Sequence, residues 1–230
     1  MSETTQIAIP LRRLWRVLLG VLFALCVCGA IAEYARYILQ SKSPVVDYFS
    51  LTEEQNVPTW WSSFLLAACS VVLAFIATTT PRGKGRFKTH WIVLSAIFCY
   101  MSIDELVEIH EWLNNIKALG NLHGFIYYGW VIPAGAVVVV FALSYLKFLF
   151  HLPPRSRNEI AVAGVLYVAG ALGIELILGF WTDRHGELNL TWAMIGLVEE
   201  ALEMLGASLF LVALLRYWGT KNPEIRIDVR

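Results

Sequence analysis

Residues 59–79 read Thr-Trp-Trp-Ser-Ser-Phe-Leu-Leu-Ala-Ala-Cys-Ser-Val-Val-Leu-Ala-Phe-Ile-Ala-Thr-Thr, twenty-one consecutive residues without a charge. As a helix rising about 1.5 Å per residue, this stretch is about 30 Å long, which matches the hydrocarbon core of a bilayer. Outward from it, similar blocks lie near 14–34, 90–113, 122–150, 159–181 and 188–217. The connections hold the turn formers, as in Pro81-Arg82-Gly83-Lys84-Gly85 and Pro153-Pro154-Arg155-Ser156-Arg157. In lipid each span must satisfy its own backbone, which a helix does. The expectation is an all-α, polytopic membrane protein: one transmembrane domain over residues 1–230, built as a six-transmembrane-helix bundle.

Composition agrees. The 230 residues are 57% hydrophobic and 16% charged, with 18 basic and 18 acidic side chains, and mean hydropathy is +0.60. A soluble domain carries about 25% charged residues. These figures exclude a nucleic-acid binder, a disulfide-stapled secreted module and a disordered chain. The expected surroundings are the lipid bilayer, with membrane-protein partners or a homo-oligomer left open.

Orientation follows from Lys and Arg near the span ends. Arg12, Arg13, Arg16, Arg82, Lys84, Arg86, Lys88, Lys147, Arg155, Arg157, Arg216, Lys221, Arg226 and Arg230 fall on one side, and Arg36, Lys42, Lys117 and Arg184 on the other. Both termini are therefore expected in the cytoplasm. Trp60, Trp61, Trp112, Tyr127, Tyr128 and Trp181 gather at the outer edge, where interfacial rings settle. Ala30-Ile31-Ala32 imitates a signal-peptide cleavage site, but cleavage would invert the charge asymmetry, so the first block is read as a retained span. Cys26, Cys28, Cys69 and Cys99 all lie within spans and read as small packing residues.

The acids carry the chemistry. Asp104, Glu105, Glu108 and Glu111 fall in the outer half of the third span, Glu175 in the fifth, and Glu199, Glu200 and Glu203 in the sixth. A charge at a helix centre costs about 2.5–3.5 kcal/mol, so three Glu in one turn cost on the order of 10 kcal/mol unless neutralised. The outer halves of these spans hold no Lys or Arg. Neutralisation then falls to protons, a water-filled cavity or bound cations.

At about 100° per residue, Asp104, Glu108 and Glu111 lie within about 60° of one another. Glu199 and Glu203 share a face with Gly196 and Gly206, and Glu175 shares one with Gly164, Ala171 and Gly179. Small residues beside carboxylates let helices approach, so the three acidic faces are expected to converge. Asp104-Glu105-Leu106-Val107-Glu108 and Glu199-Glu200-Ala201-Leu202-Glu203 share the form [DE]-E-x-x-E, and a 3+3 inverted repeat would place them antiparallel.

Histidine adds a second ligand type. His123 enters the outer half from the fourth span, whereas His110 sits off the acidic stripe. Glu108, Glu111, His123, Glu175, Glu199 and Glu203 form the expected metal-ligand pool, with Glu33, Asp104, Glu105, His110 and Glu200 as secondary candidates. Mixed oxygen and nitrogen donors suit iron, manganese or zinc. The likeness to di-metal carboxylate bundles is partial, because their Glu-x-x-His pair is missing. The histidine boxes of membrane desaturases are also missing, as are histidines spaced for two neighbouring haems and a lysine in the last span for retinal.

Asn56-Val57-Pro58-Thr59-Trp60, Ser102-Ile103-Asp104-Glu105 with Ile109-His110-Glu111, Trp130-Val131-Ile132-Pro133, and Glu199-Glu200-Ala201-Leu202-Glu203-Met204 mark the chain over roughly residues 50–215. In these features it resembles a group of largely uncharacterised bacterial multi-pass membrane proteins. The resemblance implies an inner-membrane location and no assigned activity. From residue chemistry, the leading expectation is a metal-dependent membrane enzyme acting on a lipidic or quinone-like substrate from the outer leaflet. A cation- or proton-coupled transporter comes next, then a non-catalytic membrane subunit of a larger complex. The cytoplasmic halves hold few polar groups, which favours a site open to one side.

Overall fold

The computed structural model describes residues 7–51, 53, 55–80, 87–109, 122–221 and 225–228. Strand β1 (Ile7–Pro10) leads into helix α1 (Leu11–Tyr37), followed by a short α2 (Pro44–Phe49) and then α3 (Val57–Thr79) and α4 (Lys88–Val107). A 3-10 turn at Gly124–Ile126 precedes α5 (Val131–His151) and α6 (Pro154–Val168). A π-helical segment, Ala169–Ile174, joins α6 to α7 (Glu175–His185), and α8 (Leu190–Lys221) runs to strand β2 (Ile225–Asp228). Helices α1, α3, α4, α5 and the continuous Pro154–His185 rod are each long and apolar enough to cross a membrane.

Local chemistry sets several boundaries. Asn56 caps α3, its side-chain oxygen accepting from the Thr59 N–H at 3.1 Å, and Pro58 occupies the first turn. Pro153 and Pro154 divide α5 from α6, since proline cannot continue one helix but suits the start of the next. The same rule corrects the expected fourth span. Pro133 is tolerated only in a first turn, so α5 starts at Val131 and residues 122–130 fold as a separate strap.

The third span is corrected too. It ends at Val107, and Glu108 takes the left-handed conformation with φ 57° and ψ 39°, its N–H bonding to the Asp104 carbonyl at 2.7 Å. The stripe of Asp104, Glu108 and Glu111 is therefore not continued as helix at Glu108. His110, Glu111 and Trp112 lie outside the described residues.

All long elements are helical, and the structure adds a two-stranded ribbon. Ile7 to Pro10 pair in parallel with Ile225 to Asp228, so β1 and β2 meet at one end of the bundle. Helix α8 is the hub, packing on α1, α3, α6, the π segment and α7. From Met204 to Leu215 it is mostly buried, consistent with an apolar sequence on all sides.

Two helix pairs approach through small residues. On α3 and α4, Ser63 and Ser102 each donate to the other's backbone carbonyl, at 2.7 and 2.9 Å. Ser70 and Ser95 repeat the exchange two turns away, at 2.8 Å in both directions. On α6 and α8, a β-carbon at Gly206 would lie 2.7 Å from the Tyr167 nitrogen and 2.9 Å from the Ala163 oxygen. Away from the acids the centre is apolar, with Cys69, Leu73, Trp91, Phe210, Leu211 and Leu214 in one cluster. All four cysteines are free thiols.

Candidate functional site

The carboxyl groups meet where the π segment and α7 cross α8. The π segment ends at Ile174, so Glu175 is the first residue after the inserted turn, a kind of helix irregularity that often marks working positions. Gly170 makes the crossing possible. A β-carbon there would stand 2.9 Å from both the Glu199 carbonyl oxygen and the Glu203 Cγ.

Glu175 is only 8% exposed. It accepts a hydrogen bond from the Trp130 indole Nε1 at 3.0 Å, and its carboxyl faces that of Glu199. One turn further along α8, the Tyr167 hydroxyl from α6 faces the Glu203 carboxyl. Glu105 from α4 joins Glu203, Tyr167, Met204, Ala207, Leu66 and Ser62 around a crevice too tight to admit a water molecule. Ser62 is 5% exposed, and its buried hydroxyl oxygen has no hydrogen-bond partner among the described residues. Glu200 lies near Cys26 of α1 as well as near Glu199 and Tyr167.

The strap before α5 covers α7. His123 Nδ1 lies 2.9 Å from Asp183 Oδ1, and the Gly124 N–H donates to Asp183 Oδ2 at 2.9 Å. Gly124 has φ +65°, which glycine adopts without penalty. Phe125 stacks on Phe180 with centroids 4.5 Å apart, and Gly179 leaves room for Tyr127 and Tyr128, whose atoms would sit 3.2 and 3.4 Å from a β-carbon there. The Tyr128 hydroxyl lies 3.1 Å from Thr182 Oγ1, donates to Glu187 at 3.2 Å and accepts from Trp192 Nε1 at 3.3 Å. Burial pushes the Tyr128 phenol above the usual tyrosine range, so its hydroxyl keeps its proton as a donor.

Of the residues expected from the sequence, the structure brings together Glu105, Glu175, Glu199 and Glu203. His123 is elsewhere, with 82% of its side chain exposed beside Asp183. Glu108 accepts a long hydrogen bond of 3.4 Å from Gln55. Asp104 meets the Tyr100 hydroxyl at 3.5 Å, so Glu105, not Asp104, reaches the crevice. Glu33 is fully buried, but its described partner is the Ser50 hydroxyl. Near it Arg36 bonds Asp47 at 2.8 Å and also Glu53.

Trp130, Tyr167 and Ser62 were missing from the expected site. Tyr167 has a readable signal, being the one hydroxyl side chain between residues 159 and 181. Among the described residues, no three of His, Cys, Asp and Glu are placed to hold a metal ion together. The physical reason is visible in the packing. Glu175 and Glu199 are directed at each other, Glu203 at Tyr167, and His123 at Asp183.

Fold and site together define a class: a helical protein with several membrane-length apolar helices that bury carboxyl groups at their crossing. The chain belongs to the family described as Domain of unknown function (DUF8692), which matches residues 12–218. No curated protein and no solved structure matches it.

Proposed function

We propose that this is an integral membrane protein of six crossings with both termini cytoplasmic, whose buried carboxyl groups exchange protons with the outer face. In this reading they form the acid–base site of an inner-membrane enzyme with a lipidic or quinone-like substrate. The observation that carries it is the gathering of Glu175, 8% exposed, with Glu199 and Glu203 where the π segment crosses α8. The crossing count is supported by the parallel pairing of β1 with β2. Chain ends that meet at one end of a bundle require an even number of passes, and α8 supplies the sixth.

The apolar cluster of Leu65, Leu73, Phe210 and Leu214 on the far side of the acids supports a one-sided site over a path across the membrane. The test is metal analysis and proton uptake on protein purified in detergent without chelators. The expected result is pH-dependent uptake that falls in Glu199→Gln, with no stoichiometric metal. Stoichiometric iron, manganese or zinc, lost together with thermal stability in Glu203→Gln, would overturn the proton reading in favour of a metal centre.

A further inference from the structure

We propose that the crevice between α3, α4, α6 and α8 is a cation site, which takes a sodium ion stripped of its water and holds it by oxygen from Ser62, Glu105, Tyr167 and Glu203. Each of the four helices brings one oxygen-bearing side chain to this place, and the rest of the lining is Leu66, Met204 and Ala207. No Lys, Arg or His is among the lining residues. Two carboxyl groups against an apolar wall favour a cation between them. The inference goes beyond the acid–base reading, because it adds an exchangeable bound ion and needs neither a substrate nor a reaction.

Ser62 points to a ligand independently of the acids. A serine in a membrane helix ordinarily bonds a carbonyl one turn back or a group on the next helix. Ser63, Ser70, Ser95 and Ser102 all do so across α3 and α4. Ser62 is 5% exposed and lines the crevice, and its hydroxyl oxygen has no hydrogen-bond partner among the described residues. A buried hydroxyl in that state costs about 1–3 kcal/mol, which an ion seeking oxygen ligands removes.

Size and charge select the ion. The crevice is too tight for a water molecule. A bare sodium ion is smaller than water, and oxygen approaches a cation of its size, such as calcium, at roughly 2.3–2.6 Å, closer than the roughly 2.7–2.8 Å of a hydroxyl hydrogen bond. Potassium has no such advantage over water. Magnesium keeps several waters, and calcium takes roughly 6–8 oxygen ligands. Stripping a divalent ion of its water also costs far more, since that cost rises with the square of the charge. The cage is stiff enough to discriminate. The Ser63–Ser102 exchange locks α3 to α4 beside Ser62 and one turn before Glu105. The close approaches at Gly170 and Gly206 fix Glu203 and Tyr167.

Thermal unfolding of the full chain in detergent, at constant ionic strength, tests the site. Sodium chloride is expected to raise Tm saturably above its value in choline chloride, and potassium chloride to leave it there. In Ser62→Ala the Tm in choline chloride should match the wild type, while the sodium concentration needed for the rise should increase by about tenfold or more, as when a metal site loses a supporting contact. Ser63→Ala, which removes a bonded serine outside the crevice, should keep the wild-type sodium response. If Ser62→Ala does not fold, Glu105→Gln serves in its place. Equal Tm in sodium and choline, an equal rise with potassium, calcium stabilising in place of sodium, or an unaltered sodium response in Ser62→Ala would each overturn the inference. Proton uptake that persists in a chain without a sodium response removes this inference and leaves the proposed function standing; a sodium response without proton uptake does the reverse.

Discussion

Gly206 of α8 and Tyr167 of α6 are in backbone contact, so close that a β-carbon at 206 would stand 2.7 Å from the Tyr167 nitrogen. This contact also sets the site, because the same turn of α6 carries the Tyr167 hydroxyl to Glu203. Backbone cannot move aside as a flexible side chain can. Gly206→Ala is therefore expected to part the two helices and cost about 1–3 kcal/mol despite alanine's better helix propensity. Thermal unfolding in detergent measures it. Gly164→Ala, where a β-carbon meets nothing within 4 Å, is the matched control and should leave stability unchanged or slightly raised.

The reciprocal bonds of Ser63 and Ser102 hold α3 to α4. Hydrogen bonds between membrane helices are worth about 0.6 kcal/mol on average and up to about 1.7. A double-mutant cycle with Ser63→Ala and Ser102→Ala is expected to give a coupling energy in that range. A coupling of zero would mean that helix packing alone joins the pair.

Glu203 faces Tyr167 in a crevice without room for water. Glu203→Gln keeps the shape and loses only the ionisable proton, so thermal stability is expected to stay within about 1 kcal/mol, the ordinary worth of one hydrogen bond. Glu203→Lys places an ammonium group among Glu105, Glu199 and Glu203's own former neighbours, where α6 and α8 leave no space for the longer side chain. It is expected to lower the yield of folded protein, as read by size-exclusion chromatography.

Asp183 accepts from both His123 and the Gly124 N–H. Asp183→Ala removes both bonds and is expected to speed hydrogen exchange in residues 123–130 while leaving α8 unaffected. Equal exchange in the two proteins would show that stacking of Phe125 on Phe180 holds the strap unaided.

Reporter fusions check the topology. Fusions at residues 85 and 230 are expected to report the cytoplasm, and one at residue 42 the outer compartment, following the distribution of Lys and Arg. Reporters at 85 and 230 that face opposite sides would remove the even number of crossings.

The uncharged run from Thr59 to Thr79 and its counterparts were sufficient for the helical, membrane-length character of the chain. Hydrophobic length is a local property, summed over neighbours in sequence, so no tertiary information is needed to read it. The acids of α8 were legible for a related reason: Glu199 and Glu203 are anomalous within their own helix wherever it packs. What escaped depended on contacts between distant segments. Pro133 moved the start of the expected fourth span to Val131, and the freed strap carried Trp130 to Glu175, 45 residues away in sequence. Glu108 left the α4 stripe by entering the left-handed region. His123 took Asp183 as its partner in place of the buried acids. Helical spacing states which residues share a face, and the close approaches at Gly170 and Gly206 then select which of those faces touch. That selection turned Glu105 toward Glu203 while Asp104 met Tyr100, because a side chain's partner is chosen by the neighbouring helix that reaches it and not by its own position along the chain.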